Sequence, residues 1–184
     1  GQMIEKVVLP EQRTRLTDEE VIARCPWATT GRTHHRTPNI ITSLELDPAE
    51  MEKRNIHLQK KYAEIEENEV RFEELHCEDS EYLIVAFGSC ARIAQKAMEM
   101  AREEGIKVGL LRPITLWPFP SKAIAARAAQ VKGILTVELN AGQMVEDVRL
   151  AVKCKVPVEH FGRLGGIVPD PDEVITALKE KLIK

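Results

Sequence analysis

One short loop, Glu138–Gln143, has the residue types that could hold a ligand: a carboxylate, an amide and a glycine. It follows Gly133–Val137, a short apolar run typical of a strand that is buried on both faces. Open α/β sheets place their ligand sites at the carboxyl ends of such strands. Asparagine and glycine are also the residues of an ordinary strand-to-helix turn, so the pattern alone supports either a ligand site or a turn.

Two further stretches have residue types that could bind an anion or a metal. Gly162–Gly166 is a glycine-rich turn after a predicted strand, but the apolar Leu164 within it and Leu139 nearby argue against a phosphate cradle. Gly31–Arg36 contains two adjacent histidines next to arginines. Because adjacent histidines rarely converge on one ion, a solvated basic loop is the favoured interpretation.

The four cysteines, Cys25, Cys77, Cys90 and Cys154, are far apart, and none belongs to a CxxC pair. This spacing is typical of reduced thiols in a cytosolic protein. We therefore expect neither a zinc site nor an iron–sulfur site made by this chain alone.

A proline-rich segment, Arg112–Pro120, contains Trp117 and Phe119. Its three prolines are incompatible with a helix or a sheet interior and predict a stiff, extended segment. The two aromatic side chains either pack beneath the sheet or form a contact ridge for a partner, since rigid aromatic residues on loops suit interfaces.

Composition and missing motifs exclude several classes of function. A net charge of −3 gives no electrostatic basis for binding nucleic acid or an anionic membrane. No apolar run approaches the roughly 18 residues of a membrane span, and residues 1–10 lack the apolar stretch that a signal peptide requires. The GxxxxGKS/T and GxGxxG phosphate motifs, the GxSxG nucleophile turn and the HExxH zinc motif are also missing.

The elements that position these residues are organised around a strand–helix–strand unit beginning at Glu81. Tyr82–Phe87 is an unbroken apolar run that predicts a buried parallel strand. Ser89 is the expected N-cap of the following helix, and Gly105 is expected to end that helix as a C′ glycine. The next strand begins at Lys107.

The same alternation of strand and helix continues to the end of the chain. Val70–Leu75 alternates as a short edge strand, Ser121 is an expected helix cap, and the Asp-Pro-x-Glu sequence at Asp170 predicts a further helix start. Inner strands are expected at 108–111, 133–137 and 156–161. The predicted fold class is α/β, a three-layer sandwich whose mostly parallel sheet has about five strands and one antiparallel edge strand.

The first third of the chain has a different character. Residues 1–46 are polar and broken by prolines, so we expect an extended remnant or linker from an upstream domain. Asp47 begins a predicted connecting helix over residues 47–69, with a capping box. The α/β domain is expected over residues 70–184. The helix has a narrow apolar stripe that suits packing against another domain or subunit, and this stripe comprises Met51, Leu58, Tyr62 and Ile65.

The order of four segments resembles the alpha subunit of the 2-oxoacid:ferredoxin oxidoreductases, thiamine diphosphate enzymes that cleave 2-oxo acids and pass electrons to ferredoxin. The resemblance covers essentially the whole chain, and the four segments together are specific. They are Phe87–Ser89, Arg112–Pro120, Glu138–Met144 with Asp147 and Val148, and Gly162–Gly166. The proline-rich segment looks most like the 2-ketoisovalerate type, while the 2-oxoglutarate and pyruvate types stay open.

The resemblance implies a fold similar to the C-terminal domain of transketolase. It also implies that the chain is the C-terminal half of a longer subunit, with Gly1–Met3 ending the first domain. Its role would be assembly and closure of the complex.

The resemblance places the chemistry in other parts of that complex. Thiamine diphosphate would be bound by the upstream pyrimidine-binding domain of the same subunit and, with magnesium, by the beta subunit that holds its pyrophosphate. Iron–sulfur clusters would belong to a ferredoxin-like subunit, and ferredoxin would accept the electrons in the cytoplasm. The chain itself would bind no cofactor or metal and have no catalytic residue. Its interface or cleft candidates are Trp117, Phe119, Asn140 and Gln143.

Two hypotheses of different class follow. In the first, the chain is part of an oxidoreductase and inactive alone, which predicts exposed apolar surface on the Met51–Ile65 helix and around Trp117. In the second, it is a stand-alone α/β module that binds a small ligand with the loops after Val137 and Phe161, which predicts a pocket at the strand ends. The length of the polar start favours the first.

Overall fold

The computed structural model describes residues 9, 11–12, 14–28 and 40–183 of the 184-residue chain. The chain divides into two units, with a boundary between His57 and Leu58 inside a long helix. The expectations for Gly1–Met3 and for the basic stretch Gly31–Arg36 fall outside the described residues.

Helix α1 (Asp18–Arg24) was not expected in the polar start of the chain. It is stabilised by a capping box: Thr17 Oγ1 accepts from the backbone N–H of Glu20 at 3.3 Å, and the Glu20 carboxylate accepts from the backbone N–H of Thr17 at 2.8 Å. The Thr-x-x-Glu spacing of this capping box is present in the sequence, but the neighbouring prolines favoured an extended segment instead of a helix.

Helix α2 (Pro48–Asn68) begins where the sequence predicts. Asp47 Oδ1 accepts from the backbone N–H groups of Ala49 at 2.8 Å and Glu50 at 3.2 Å. The Glu50 side chain accepts from Lys53 at 2.6 Å and not from the backbone N–H of Asp47, so only the Asp47 half of the predicted capping box is formed. None of the 21 residues of α2 is buried, as expected of a charged helix with a narrow apolar stripe.

The described residues of the second unit form a sheet of five strands: β1 (Phe72–Leu75), β2 (Tyr82–Ala86), β3 (Val108–Pro113), β4 (Gly133–Glu138) and β5 (Val158–Gly162). Their order in the sheet is β1-β3-β2-β4-β5. β1 is antiparallel to β3, and the other pairs are parallel. The predicted mostly parallel sheet with one antiparallel edge strand is confirmed. The strand predicted at 156–161 was expected to be an inner one, but among the described strands β5 pairs with β4 alone and lies at the other edge.

Helices cover both faces of this sheet, as in a three-layer sandwich. They are α3 (Gly88–Glu103), α4 (Ser121–Ala128), α5 (Met144–Val152) and α6 (Pro171–Leu178), the last continued by a π-helical turn, Lys179–Ile183. α3 and α6 pack on one face, and α4 and α5 on the other. Successive side chains of β2 point to opposite faces of the sheet, so Ile84 packs in the core on the α3 and α6 side, and Leu83 and Val85 pack in the core on the α4 and α5 side.

Two of the predicted helix caps are wrong. Gly88, at φ +56°, already begins α3, so Phe87 occupies the N-cap position and Ser89 lies inside the first turn. Likewise Pro120 occupies the N-cap of α4, and Ser121 is its first helical residue. The chain turns into α3 two residues earlier, and into α4 one residue earlier, than the hydroxyl pattern suggests, and neither helix has a side-chain cap.

Two other predicted helix ends are confirmed. Gly105 follows α3 at φ +85°, the left-handed conformation of a C′ glycine. Asp170 and Glu173 form a complete capping box at the start of α6. Among the described residues, no helix has the length and apolar character needed to cross a membrane.

Candidate functional site

The proline-rich segment is fixed to the start of β1 by hydrogen bonds. The backbone N–H groups of Ile114 and Thr115 donate to the Arg71 carbonyl at 2.9 and 3.1 Å. Thr115 Oγ1 accepts from the backbone N–H of Arg71 at 3.0 Å and donates to the Pro118 carbonyl at 2.8 Å. The predicted extended segment is only partly right: Arg112 and Pro113 end the interior strand β3, and the chain then bends at Ile114 and over residues 116–118. The Trp117–Pro118 peptide bond is cis.

The two aromatic residues of this segment point to different surroundings. Phe119 is half-buried and packs against the core beneath α4 and α5. Trp117 is 55% exposed, and its ring meets Tyr62 of α2 edge to face, with centroids 5.6 Å apart. Phe119 therefore serves internal packing, while Trp117 presents most of its ring to solvent.

A groove of about 970 Å³ lies between the last turns of α2 and the proline-rich segment. Its apolar lining includes Val70, Phe72 and Trp117, and its charged lining comprises Glu66, Glu67 and Lys122. Exposed apolar side chains continue beside it at Ile114 and Leu116, each 48% exposed. An aromatic, partly apolar groove of this size is suited to a ligand or to a partner chain.

The carboxylate of the Glu138–Gln143 loop is buried and makes structural hydrogen bonds to the protein backbone. Glu138 is 1% exposed, and its oxygens accept three backbone N–H groups at the start of α5. Oε2 accepts from Gln143 at 3.1 Å and from Met144 at 2.8 Å, while Oε1 accepts from Val145 at 3.0 Å. Gln143 occupies the N-cap position without making a side-chain cap, so Glu138 provides from β4 the cap that α5 lacks.

Asn140 and Gln143 lie in the same loop but have different environments. Asn140 is half-buried, and its Oδ1 accepts from the backbone N–H of Gly142 at 2.7 Å, which makes a local turn. Gln143 is exposed. The loop therefore has the residue pattern of a ligand site and the contacts of a strand-to-helix turn.

His160 on β5 is a further polar residue here that the sequence reasoning missed. Its Nδ1 lies 3.2 Å from Thr136 Oγ1 and 3.4 Å from Glu138 Oε1, and its Nε2 lies 3.3 Å from the Asn140 carbonyl. It thus joins β4, β5 and the loop. The sequence could have indicated this contact, because His160 lies on the predicted strand that follows the strand of Glu138, and consecutive strands of a parallel sheet are often neighbours.

The glycine-rich turn after β5 packs against the same loop. The backbone N–H of Arg163 donates to the Glu138 carbonyl at 3.2 Å, and the Arg163 side chain binds Glu173 at 2.9 Å. A Cβ added at Gly162 would collide with the Asn140 carbonyl oxygen. Glycine is therefore needed at this position for close packing of the two loops.

Two cysteines of this unit, Cys77 and Cys90, are buried in its core. Burial, followed by the charge of Glu138, raises the pKa of Cys90 to about 11. Burial and the neighbouring Glu74 carboxylate raise the pKa of Cys77 to about 11. All four cysteines are unpaired, and the described part of the chain contains no cluster of three metal-binding side chains.

Comparisons with known proteins bear on this arrangement. A family model described as pyruvate:ferredoxin oxidoreductase core domain II matches residues 80–174, just over half of the chain. The chain is 43% identical over 180 residues to ketoisovalerate oxidoreductase subunit VorB of Methanothermobacter thermautotrophicus, covering 98% of this chain and 49% of that protein. It is 31% identical over 173 residues to 2-oxoglutarate synthase subunit KorA of Archaeoglobus fulgidus, covering 92% and 47%. The chain thus spans about half the length of these curated relatives.

Solved structures support the fold alone. The structure of 2-oxoglutarate:ferredoxin oxidoreductase from Magnetococcus marinus matches with a TM-score of 0.67 and 24% identity, covering 78% of this chain and 27% of that chain. A split-gene transketolase matches with a TM-score of 0.53 and 17% identity, covering 80% and 46%. The transketolase-like fold is confirmed, as is the resemblance inferred from the four sequence segments. The chain therefore belongs to the pyruvate:ferredoxin oxidoreductase core domain II family.

Proposed function

We propose that the chain is the C-terminal part of the alpha subunit of a thiamine-diphosphate-dependent 2-oxoacid:ferredoxin oxidoreductase, with 2-ketoisovalerate as the favoured substrate. The observation that carries this proposal is the 43% identity to VorB along 98% of the chain. Residues 1–46 act as a linker, residues 47–69 as a connecting helix and residues 70–184 as the α/β domain. The complex works in the cytoplasm, since four unpaired thiols suit a reducing compartment.

In this proposal the chain serves assembly, and the chemistry belongs to its partners. The partners are the upstream pyrimidine-binding domain, the pyrophosphate-binding beta subunit, the ferredoxin-like subunit with its iron–sulfur clusters, and ferredoxin. Support comes from the strand-end loop, where Glu138 caps α5 and the Asn140 side chain closes a turn. These contacts favour assembly over a stand-alone ligand-binding module, because they use the polar atoms that a ligand would need.

Support for an assembly role also comes from surface apolar residues. Trp117 is 55% exposed, and Phe72 and Tyr62 are each 39% exposed. Aromatic side chains at such positions are the residue types most enriched in binding hot spots. We propose that Trp117 is an interface residue and that Phe119 supports the segment from beneath.

A chimera tests this proposal. The 180-residue matched region of VorB is replaced by the corresponding residues of this chain, and the assembled complex is assayed for 2-ketoisovalerate-dependent reduction of a viologen dye. We expect the chimera to co-purify with its partner subunits and to keep the parent's substrate preference.

The control is the same chimera with Trp117→Ala, which we expect to lower the yield of complex without changing the substrate preference. A chimera that assembles as well as the parent but reduces no dye would contradict the division of labour proposed here. A chimera that fails to assemble would contradict the assembly role.

A further inference from the structure

We propose that the groove between α2 and the proline-rich segment binds an arginine-bearing polypeptide segment of another subunit, with the arginine beside Glu66 and Glu67. This inference rests on the proposed function, since it names the kind of partner that the assembly surface takes. It is carried by the charges and the apolar lining of the groove.

The first observation is that two carboxylates line one end of the groove without partners. Glu66 and Glu67 are exposed, and neither carboxylate makes a hydrogen bond or an ion pair with another described residue. By contrast, Glu69 and Glu73 nearby are paired with Arg71 and Arg112. Within the described part of the chain, no basic side chain neutralises these two carboxylates.

The second observation is the place of these carboxylates on α2. They lie in the last turn of a 21-residue helix, where the helix dipole is negative, and that turn contains no basic residue. Negative charge at a helix C-terminus is unfavourable, and a cation there is favourable. A cationic partner would therefore relieve repulsion that the described residues leave uncompensated.

The third observation is the apolar wall next to this charge. The exposed ring of Trp117 and the side chains of Phe72 and Val70 line the same groove. Arginine combines a charge with a flat group that stacks on aromatic rings, and tryptophan is its best aromatic partner. Apolar residues on either side of the arginine would cover Phe72 and Val70.

One lysine modifies the charge of the groove. Lys122, in the first turn of α4, also lines the groove. The two carboxylates outnumber it, so the groove has a net negative charge and prefers a cationic segment. Lys122 also repels the arginine of a bound segment, so we expect that arginine to lie near Glu66 and Glu67 of α2.

The test uses the full chain with a defined probe, a fluorescein-labelled hexapeptide repeating leucine, arginine and proline. Its matched control has glutamate in place of each arginine. We expect fluorescence anisotropy to give a Kd between about 10 μM and 1 mM for the arginine peptide, weakening as salt is raised. The glutamate peptide should not bind.

Two matched double variants locate the site. Glu66→Gln with Glu67→Gln should weaken arginine-peptide binding by about three- to tenfold, since it removes two exposed ionic contacts. Glu103→Gln with Glu180→Gln changes the net charge equally at exposed positions outside the groove and should have no effect. Equal loss in both variants would mean non-specific charge attraction and would overturn the site.

Other outcomes also decide the matter. No binding at about 1 mM peptide, or equal binding of the glutamate peptide, would refute an arginine-selective groove. A dimer in sedimentation that the Glu66/Glu67 variant dissociates would mean that a second copy occupies the groove, which also overturns the proposal. Peptide binding alongside an inactive chimera would refute the proposed function and keep the groove. An active chimera without peptide binding would refute the groove alone.

Discussion

The buried carboxylate of Glu138 offers the sharpest test of how this domain is held together. In Glu138→Gln the side chain keeps its shape, but one acceptor oxygen becomes an NH₂ group. The three backbone N–H groups of Gln143, Met144 and Val145 then face one acceptor and one donor. At least one buried N–H loses its partner, and the negative charge at the start of α5 is lost.

The expected loss of stability follows from these contacts. An unsatisfied buried donor costs about 1–3 kcal/mol, and the charge at the helix N-terminus contributes up to about 2 kcal/mol in a buried geometry. Burial of a neutral amide is cheaper than burial of a carboxylate, which offsets part of the loss. We expect a net destabilisation of about 2–3 kcal/mol, which at this chain length lowers Tm by about 4–12 °C.

Thermal and urea unfolding followed by circular dichroism measure this difference. The matched control is Glu146→Gln, in the first turn of the same helix but exposed. It should cost only about 0.3–1 kcal/mol, since a surface charge interacts weakly with the helix dipole. If Glu138→Gln were no less stable than Glu146→Gln, the carboxylate would not be the cap of α5, and the reasoning would be refuted.

Three further outcomes are expected. In the native chain, iodoacetamide at pH 8 should alkylate the exposed Cys154 and spare Cys77 and Cys90, because burial raises the pKa of both thiols to about 11 and keeps them protonated at that pH. Peptide mass spectrometry identifies the alkylated residues, and rapid alkylation of either buried thiol would contradict their burial. Gly162→Ala should destabilise the chain by about 1–3 kcal/mol in urea unfolding, because its Cβ collides with the Asn140 carbonyl; an unchanged midpoint would show that the two loops separate easily. Thiamine diphosphate with magnesium should leave the Tm of this chain unchanged, whereas binding at 100 times the Kd would add about 2.7 kcal/mol and place cofactor contacts in these residues.

Most of the α/β unit could be predicted because its signals are local. Strands β2 and β4 are short, largely apolar segments that end at a glycine or a polar loop. A run such as Tyr82–Phe87 can be recognised without knowing its neighbours in the fold. The strand bounds in the structure agree with these runs within one or two residues. The capping box at Asp170 was equally local, since its donor and acceptor are three residues apart.

The site-level predictions depended on contacts that are distant in sequence, and there the sequence was a weaker guide. Glu138 looked like a ligand-binding carboxylate, and only the fold brings α5 back over it. His160 lies 20 residues beyond Asn140 and meets it only because β4 and β5 are parallel neighbours. The caps at Ser89 and Ser121 failed for a different reason, because a hydroxyl indicates a helix start without fixing the backbone dihedral of the residue before it.

The antiparallel edge strand has a consequence for the order in which the domain forms and opens. β1 precedes β2 in the chain yet pairs with β3, and the bond that joins Arg71 to Thr115 spans 44 residues. Because closing a loop of this length costs entropy that the β1–β3 contacts must offset, we expect β1 to add after β2, α3 and β3 have assembled and to detach early in local unfolding. Phe72 belongs to both β1 and the groove. A segment bound in the groove would therefore also hold the edge strand in place. Binding in the groove and attachment of β1 would then stabilise each other by the same free energy, so a bound segment should slow hydrogen exchange in β1.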